Sequence, residues 1–275
     1  MKRILITGAK SYIGENVRNY LFQYPDDYFV DVIDTMDLIA KPKIFSPYDV
    51  VFNVAGIAHI KETAENRHLY YDVNRDLAIK IAQAAKEAGV RQFIVLSSMS
   101  VYGMLTGHIT KDTIPAPNTA YGDSKFQADE EIKRLVDERF KFACLRPPMV
   151  YGNGCKGNYQ RLRAFALKSP VFPKYINERS MVYIGNLCEF VKSVIDEERN
   201  GLFFPQNAEY VKTSEMVKLI AEENGKKIRL TKAFNWLIKI VPVGTIKRLF
   251  GNLTYEPVDL VSKYGFKDTV EMTER

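Results

Sequence analysis

Tyr121 and Lys125 stand four residues apart in AYGDSKFQAD, 120 to 129. In a helix that spacing places both on one face. An ammonium beside a phenol stabilises the phenolate and lowers its pKa, which makes tyrosine a usable base near neutral pH. Upstream, LSSMSVYG puts Ser98 at the end of an apolar run, where its hydroxyl could hydrogen-bond the same substrate oxygen. The pair alone is a weak signal, because any amphipathic helix can carry it.

A second constellation lies near the start. In TGAKSYIG, 7 to 14, Gly8 supplies a tight turn and Gly14 close packing of helix on strand. Such a loop cradles a pyrophosphate, because the helix N-terminus offers N–H groups and glycine lets the backbone approach. The usual middle glycine is replaced by Ser11, which keeps its N–H and adds a hydroxyl. Asp34 ends the next apolar run, 20 residues after Gly14. A carboxylate there accepts hydrogen bonds from the adenosine ribose and repels a 2′-phosphate, so NAD is favoured over NADP. The plainer alternative for Asp34 is a residue of the turn that closes the strand.

The elements that must position these residues alternate. KRILITG, FVDVID, DVVFNVAG, RQFIVLSS and KFACLRPPMVYG read as strands. A helix follows the first, with Ile13, Val17, Tyr20, Leu21 and Tyr24 at helical spacing. The pattern predicts a long helix over 62–88, its apolar face made of Val73, Leu77, Ile81, Ala84 and Ala88, with Gly89 as its stop. Another begins near Tyr121. Strands alternating with helices imply right-handed crossovers and a doubly wound parallel α/β sheet. After Gly152 the pattern loosens, which divides the chain into a dinucleotide-binding domain, 1–152, and a smaller C-terminal substrate-binding region, 153–275, with parts near 180–205 returning to the first.

Composition narrows the class. With 275 residues, 46% hydrophobic and 26% charged, the chain reads as a soluble globular protein. No run is long enough for a transmembrane segment, and the apolar run of MKRILITG is too short for a signal peptide, so a cytoplasmic location is expected. Cys144, Cys155 and Cys188 are far apart and suit a reducing compartment. His59, His68 and His108 are scattered and read as incidental, so no metal site is expected. The net charge of +6 traces to one stretch. From Glu223 to Glu256 no acid intervenes, while seven Lys and Arg lie between 226 and 248. That stretch could meet anionic lipid or a partner; the bland reading is a solvated basic face. No motif supports nucleic-acid binding.

Together, TGxxxxIG, Asp34, SSxxVYG, YGxSK and LRPPMVYG resemble the extended short-chain dehydrogenase/reductase family, in its nucleotide-sugar epimerase/dehydratase branch. The stretch DVNRDLAIKIAQAAKEAGVRQFIVLSS and the tail GNLTYEPVDLVSKYGF are similar to that branch as well. The resemblance implies a Rossmann fold and a catalytic trio of Ser98, Tyr121 and Lys125. Tyr121 would exchange a proton with a sugar hydroxyl while hydride moves between sugar carbon and nicotinamide. Cofactor contacts would fall on Gly8, Ser11, Tyr12, Ile13, Gly14, Asp34, Asn74, Tyr121, Lys125 and Pro148. Beside Ser98, substrate contacts would fall on Asn158 and on Arg179, whose planar fork pairs with diphosphate oxygens. Their plainer readings are a turn residue and a surface charge. A homodimer through helices near 66–88 and 121–137 is also implied.

Two departures matter beside Ser11. About a dozen residues, with Pro42 and Pro47, separate Asp34 from DVVFNVAG. The family fits a third strand there, ending in an acid that touches adenine, and Asp37 is a poor candidate for it. Where family dehydratases carry an Asp-Glu pair, this chain has Met99 and Ser100, which argues against 4,6-dehydration. The resemblance leaves a UDP-hexose or UDP-N-acetylhexosamine C4 epimerase, a 4-keto nucleotide-sugar reductase of surface-polysaccharide synthesis, and a non-catalytic dinucleotide sensor. The last usually lacks the tyrosine or lysine kept here.

Overall fold

A computed structural model describes residues 1–34, 42–58, 60–233, 235, 243–261 and 263–275. Asp37 and His59 lie outside the described residues. The chain forms two compact units, one of residues 1–103, 114–147 and 188–203, the other of 104–113, 148–187 and 204–275.

The first unit is built on a six-stranded parallel sheet. Its strands are β1 (Lys2–Thr7), β2 (Tyr28–Ile33), β3 (Val50–Asn53), β4 (Gln92–Leu96), β5 (Lys141–Leu145) and β6 (Gly201–Phe203). They run in the order β6-β5-β4-β3-β1-β2. Both faces are covered, which is why the strands read as continuous apolar runs. Leu5, Val51, Phe93, Val95 and Phe142 meet Leu77, Ile81, Ala85, Ala128 and Ile132 in one core. On the other face α1 (Tyr12–Leu21) comes so close that a Cβ on Gly14 would sit 2.8 Å from Val54 Cγ2 and 3.2 Å from Ile6 Cγ2. The order reverses between β1 and β3, so the strand ends there form the crevice where such sheets bind ligands. Among the described residues β2 is the sheet edge, and a short 3₁₀ turn, Pro42–Phe45, leads to β3 with Phe45 buried in the core.

The long second helix, α2, departs from expectation. It spans 67–87 rather than 62–88, because Thr63 and Asn66 close a turn through reciprocal hydrogen bonds and Glu62 accepts from Ala120 N–H. Residues Tyr71–Leu77 are wound as a π-helix. Tyr70, Asn74, Leu77, Ala78, Ile81, Ala82 and Ala85 are buried, and the expected Val73, Ala84 and Ala88 pack half-buried against the same core.

In the second unit, parallel pairs join Met149–Tyr151 to Met181–Tyr183 and Gly107–Ile109 to Leu253–Tyr255. Helix Thr213–Glu223 packs on helices Asn158–Lys168 and Phe266–Glu274, and the rings of Tyr151 and Tyr159 stack at 5.6 Å. Among the described residues no helix is long and apolar enough to cross a membrane.

Candidate active site

The glycine loop leaves β1 at Gly8, whose φ of +88° suits glycine alone. A Cβ there would lie 3.0 Å from Ala55 Cα, so the loop is pressed against the chain leaving β3. Gly8 N–H donates to Ile33 O at 3.1 Å. This sets Asp34, exposed at the end of β2, next to the loop. Ser11 caps α1, its Oγ accepting from Gly14 N–H at 3.3 Å. The serine in the middle-glycine position thus satisfies one first-turn donor, while Tyr12 and Ile13 head the helix with their N–H groups directed along its axis. The cradle fits the pyrophosphate of a dinucleotide.

The loop after β3 completes it. Asn74 grips Ile57 from both sides, Oδ1 accepting from its N–H at 2.7 Å and Nδ2 donating to its carbonyl at 3.1 Å. It also donates to Ser124 Oγ at 3.3 Å, tying that loop to α3 (Ala120–Lys133). A Cβ on Gly56 would stand 2.9 Å from Asn74 Oδ1 and 3.0 Å from Lys125 Nζ. Gly56 is therefore a member of the site that sequence reasoning missed; its only signal was its place after a buried strand.

Thr119 caps α3 through Gly122 N–H at 3.1 Å. A Cβ on Gly122 would lie 2.5 Å from Ser100 O, so only glycine lets the helix start this close to the turn Met99–Tyr102 that Ser98 caps. Ser98, whose Oγ donates to Ser100 Oγ at 3.2 Å, is thereby brought close enough to Tyr121 to act on its pKa. Tyr70 braces the Tyr121 ring edge-on, centroids 6.4 Å apart. One turn on, Lys125 is 5% exposed and donates to Leu96 O at 3.0 Å.

The electrostatics differ from expectation in one respect. Burial pushes Tyr121 above the usual phenol value, an effect the nearby Ser98 opposes and the charge of Asp129 reinforces. The expected lowering by Lys125 is not the governing effect, because the lysine is itself buried and committed to the Leu96 carbonyl. Burial lowers Lys125 to about 8, against an opposing pull from Asp129.

That shift has a consequence for stability. A lysine whose pKa falls from 10.5 to about 8 on folding contributes fully above pH 10.5 and loses that contribution as pH drops toward 8. At neutral pH the buried ammonium then costs about 3 kcal/mol. Lys125→Met removes the titration. Its melting temperature relative to the parent protein is expected to be higher at pH 7 than at pH 10.5, by calorimetry at both. An equal difference at the two pH values would contradict the shift.

Behind the lysine lies a buried pair that sequence reasoning also missed. Asp129, one turn beyond Lys125, accepts from Ser97 Oγ at 2.7 Å and from Arg146 Nε at 3.0 Å. Arg146 donates in turn to Tyr102 OH at 3.0 Å. Both side chains are at most 5% exposed.

Pro148, Asn158 and Arg179 belong to the second unit. Pro148 is buried before strand Met149–Tyr151, and Asn158 is exposed as the first residue of its helix. Arg179 is no plain surface charge. It is half-buried, its Nη1 donates to Gly251 O at 2.9 Å, and burial lowers its pKa. Of the histidines, His68 is exposed and His108 Nδ1 pairs with Thr254 Oγ1. The three thiols are buried and free.

Known proteins resemble this chain in sequence and in fold. The chain is 31% identical to the UDP-glucose 4-epimerase of Vibrio cholerae over 92% of its length and 82% of that protein. It is 27% identical to the N-acetyl-alpha-D-glucosaminyl-diphospho-ditrans,octacis-undecaprenol 4-epimerase of Escherichia coli O157:H7, over 69% of this chain and 62% of that one. The structure of UDP-glucuronic acid 4-epimerase from Bacillus cereus in complex with NAD shares the fold, with a TM-score of 0.77, 18% identity, and 99% and 97% of the two chains covered. The family model matches residues 4–202, from inside β1 into β6. A glycine cradle at the first crossover, an acid closing β2 and a serine, tyrosine and lysine gathered at the strand ends all fall within that span, and the chain belongs to the NAD dependent epimerase/dehydratase family.

Proposed function

We propose that this protein is a C4 epimerase of a UDP-hexose or UDP-N-acetylhexosamine, working through a transient 4-keto sugar. The observation that carries the reading is the close packing of the helix that bears Tyr121 and buried Lys125 against both the turn that Ser98 caps and the Gly56 loop. Two relatives similar over most of the chain are named as 4-epimerases, which supports it.

In this reading the cofactor is held by Gly8, Ser11, Tyr12, Ile13, Gly14 and Asp34, with Asn74, Lys125 and Pro148 toward its nicotinamide end. NAD, when bound, supplies a reversible hydride acceptor. Tyr121 takes the proton from the sugar 4-hydroxyl and later returns it, and Ser98 orients that oxygen. Arg179, a half-buried guanidinium that donates to the Gly251 carbonyl, pairs with the diphosphate, and Asn158 serves the same group. Met99 and Ser100 open the turn after Ser98 and supply no acid–base pair for dehydration.

A 4-keto reductase is the second reading, because a phenol kept protonated by burial is ready to donate to a ketone oxygen. The protein is further proposed to be cytoplasmic, as its three free thiols suit. It is also proposed to be a homodimer through α2 and α3, between which a hollow lined by Arg75, Ile79, Phe126 and Glu130 opens; sedimentation equilibrium tests this.

The test of function is proton NMR of the purified protein with UDP-N-acetylglucosamine and UDP-glucose, without added cofactor. Conversion of either to its galacto isomer is the expected result. No conversion of either, with reduction of a 4-keto sugar when NADH is supplied, would replace the epimerase by the reductase.

A further inference from the structure

The charge of this protein is unevenly shared. The first unit holds 20 Lys and Arg against 22 Asp and Glu, a net of −2. The second holds 19 against 11, a net of +8. Within the second unit two stretches are free of acid, 148–177 and 224–255. They are far apart in sequence, but the fold joins them: strand Arg229–Thr231 pairs with Val171–Pro173, placing Arg229 opposite Val171. Arg229 N–H donates to Pro170 O, Lys174 N–H to Thr231 O, and Asn235 Nδ2 to Lys174 O.

Alternation along this ribbon sorts its sides. Phe172 points inward, 4% exposed, against the rings of Phe165 and Phe250. Arg229 and Val171 therefore face outward. Arg161 and Lys168 line a shallow hollow with Phe165 and Pro170, at the start of the same strand. Lys174 and Lys232 extend from its other end. Arg161, Lys168, Lys174, Arg229 and Lys232 are all exposed, and among the described residues none of them has an acidic partner. Arg163, by contrast, is neutralised by Glu274 at 2.7 Å. Beside the cations stand exposed apolar side chains, Phe165 at 44%, Tyr175 at 38% and Ile176 at 81%.

We propose that this ribbon is a docking face for an anionic phospholipid bilayer, its cations meeting headgroup phosphates and the exposed Ile176 entering the interface. Basic residues near such a surface add to the binding and are screened by salt. A nucleic acid would satisfy the charge equally. It would not use Ile176, an aliphatic side chain held in water beside the cations, and this favours the bilayer.

The experiment is co-sedimentation of the full chain with phosphatidylcholine vesicles with and without phosphatidylglycerol, in low and high salt. It uses no sugar and no cofactor, so its outcome is independent of the proposed epimerase activity. Binding only to the anionic vesicles, and release by salt, are expected. The combined substitution Lys168→Glu, Lys174→Glu, Arg229→Glu and Lys232→Glu should lower the partition coefficient by about tenfold or more, with the far-UV circular dichroism spectrum unchanged. Ile176→Ser, an exposed change that spares the fold, should weaken binding to a smaller extent. No binding by the parent protein, or equal binding by both variants, would overturn the proposal. So would tighter binding to duplex DNA than to the vesicles at the same salt.

Discussion

Tyr121→Phe is expected to lower kcat by about 10²–10⁴-fold, the usual worth of a positioned acid–base group, with KM and melting temperature little changed. The phenylalanine ring keeps the edge-on contact with Tyr70 and loses only the phenol oxygen. Proton transfer at the sugar hydroxyl then has no partner, since Ser98 is an ordinary alcohol and Lys125 is turned to the Leu96 carbonyl. The pH dependence follows from signs. Burial raises Tyr121, so at neutral pH most of the phenol holds its proton, and the form that can accept one grows as pH rises. The acid limb of kcat in the parent protein should therefore climb with pH until Lys125 begins to lose its charge near 8. In Tyr121→Phe the acid limb should be flat. Steady-state rates across pH for both proteins decide it, and a variant that keeps the parent rate would remove Tyr121 from the chemistry.

Which parts of this site could be read in the sequence follows from which interactions are local. The parallel sheet was legible because each strand is buried on both faces and reads as an apolar run between crossovers. Gly8 and Gly14 were legible because their requirement is steric and the loop that imposes it is contiguous. Ser11 could be seen as a departure, but its capping of Gly14 depends on where the helix begins. Tyr121 and Lys125 declared their shared face through helical spacing alone. The direction of the Tyr121 pKa did not follow, because burial is set by Tyr70 and the surrounding chain, about 50 residues away in sequence.

The misread helix makes the same point. Periodicity at 3.6 residues predicted an apolar face through Val73, which packs half-buried against the core, while in the π turn at 71–77 Asn74 is fully buried as well. That turn aims a polar side chain at the Gly56 loop, which a uniform apolar stripe could not do. Gly56, Gly122 and the Asp129–Arg146 pair went unread because each is defined by a partner brought near only by the fold. The basic ribbon was half legible. Its second strand appeared as an acid-free stretch, while the first, equally free of acid, gained meaning only when Val171 was found opposite Arg229.

Asp129 is where stability and chemistry meet, and its removal should have the largest effect on folding. Asp129→Ala leaves Arg146 charged, buried and without its carboxylate, a loss of about 3–5 kcal/mol in systems where one partner of such a pair is deleted. Replacing both by apolar residues, Asp129→Leu with Arg146→Met, should recover most of it, because the cost lies in the orphaned cation rather than in the missing attraction. Chemical denaturation of the three proteins checks this, and a double variant no better than Asp129→Ala would contradict it. The chemical effect is read separately in Asp129→Asn, which keeps the shape and removes the charge. Asp129 raises both Tyr121 and Lys125, so without it both lose their protons more easily. The acid and alkaline limbs of kcat should then move together to lower pH. Were Asp129 only structural, stability would fall and the profile would stay in place; a shift of both limbs makes it the residue that sets the charge of the tyrosine and lysine it never needs to reach the substrate to control.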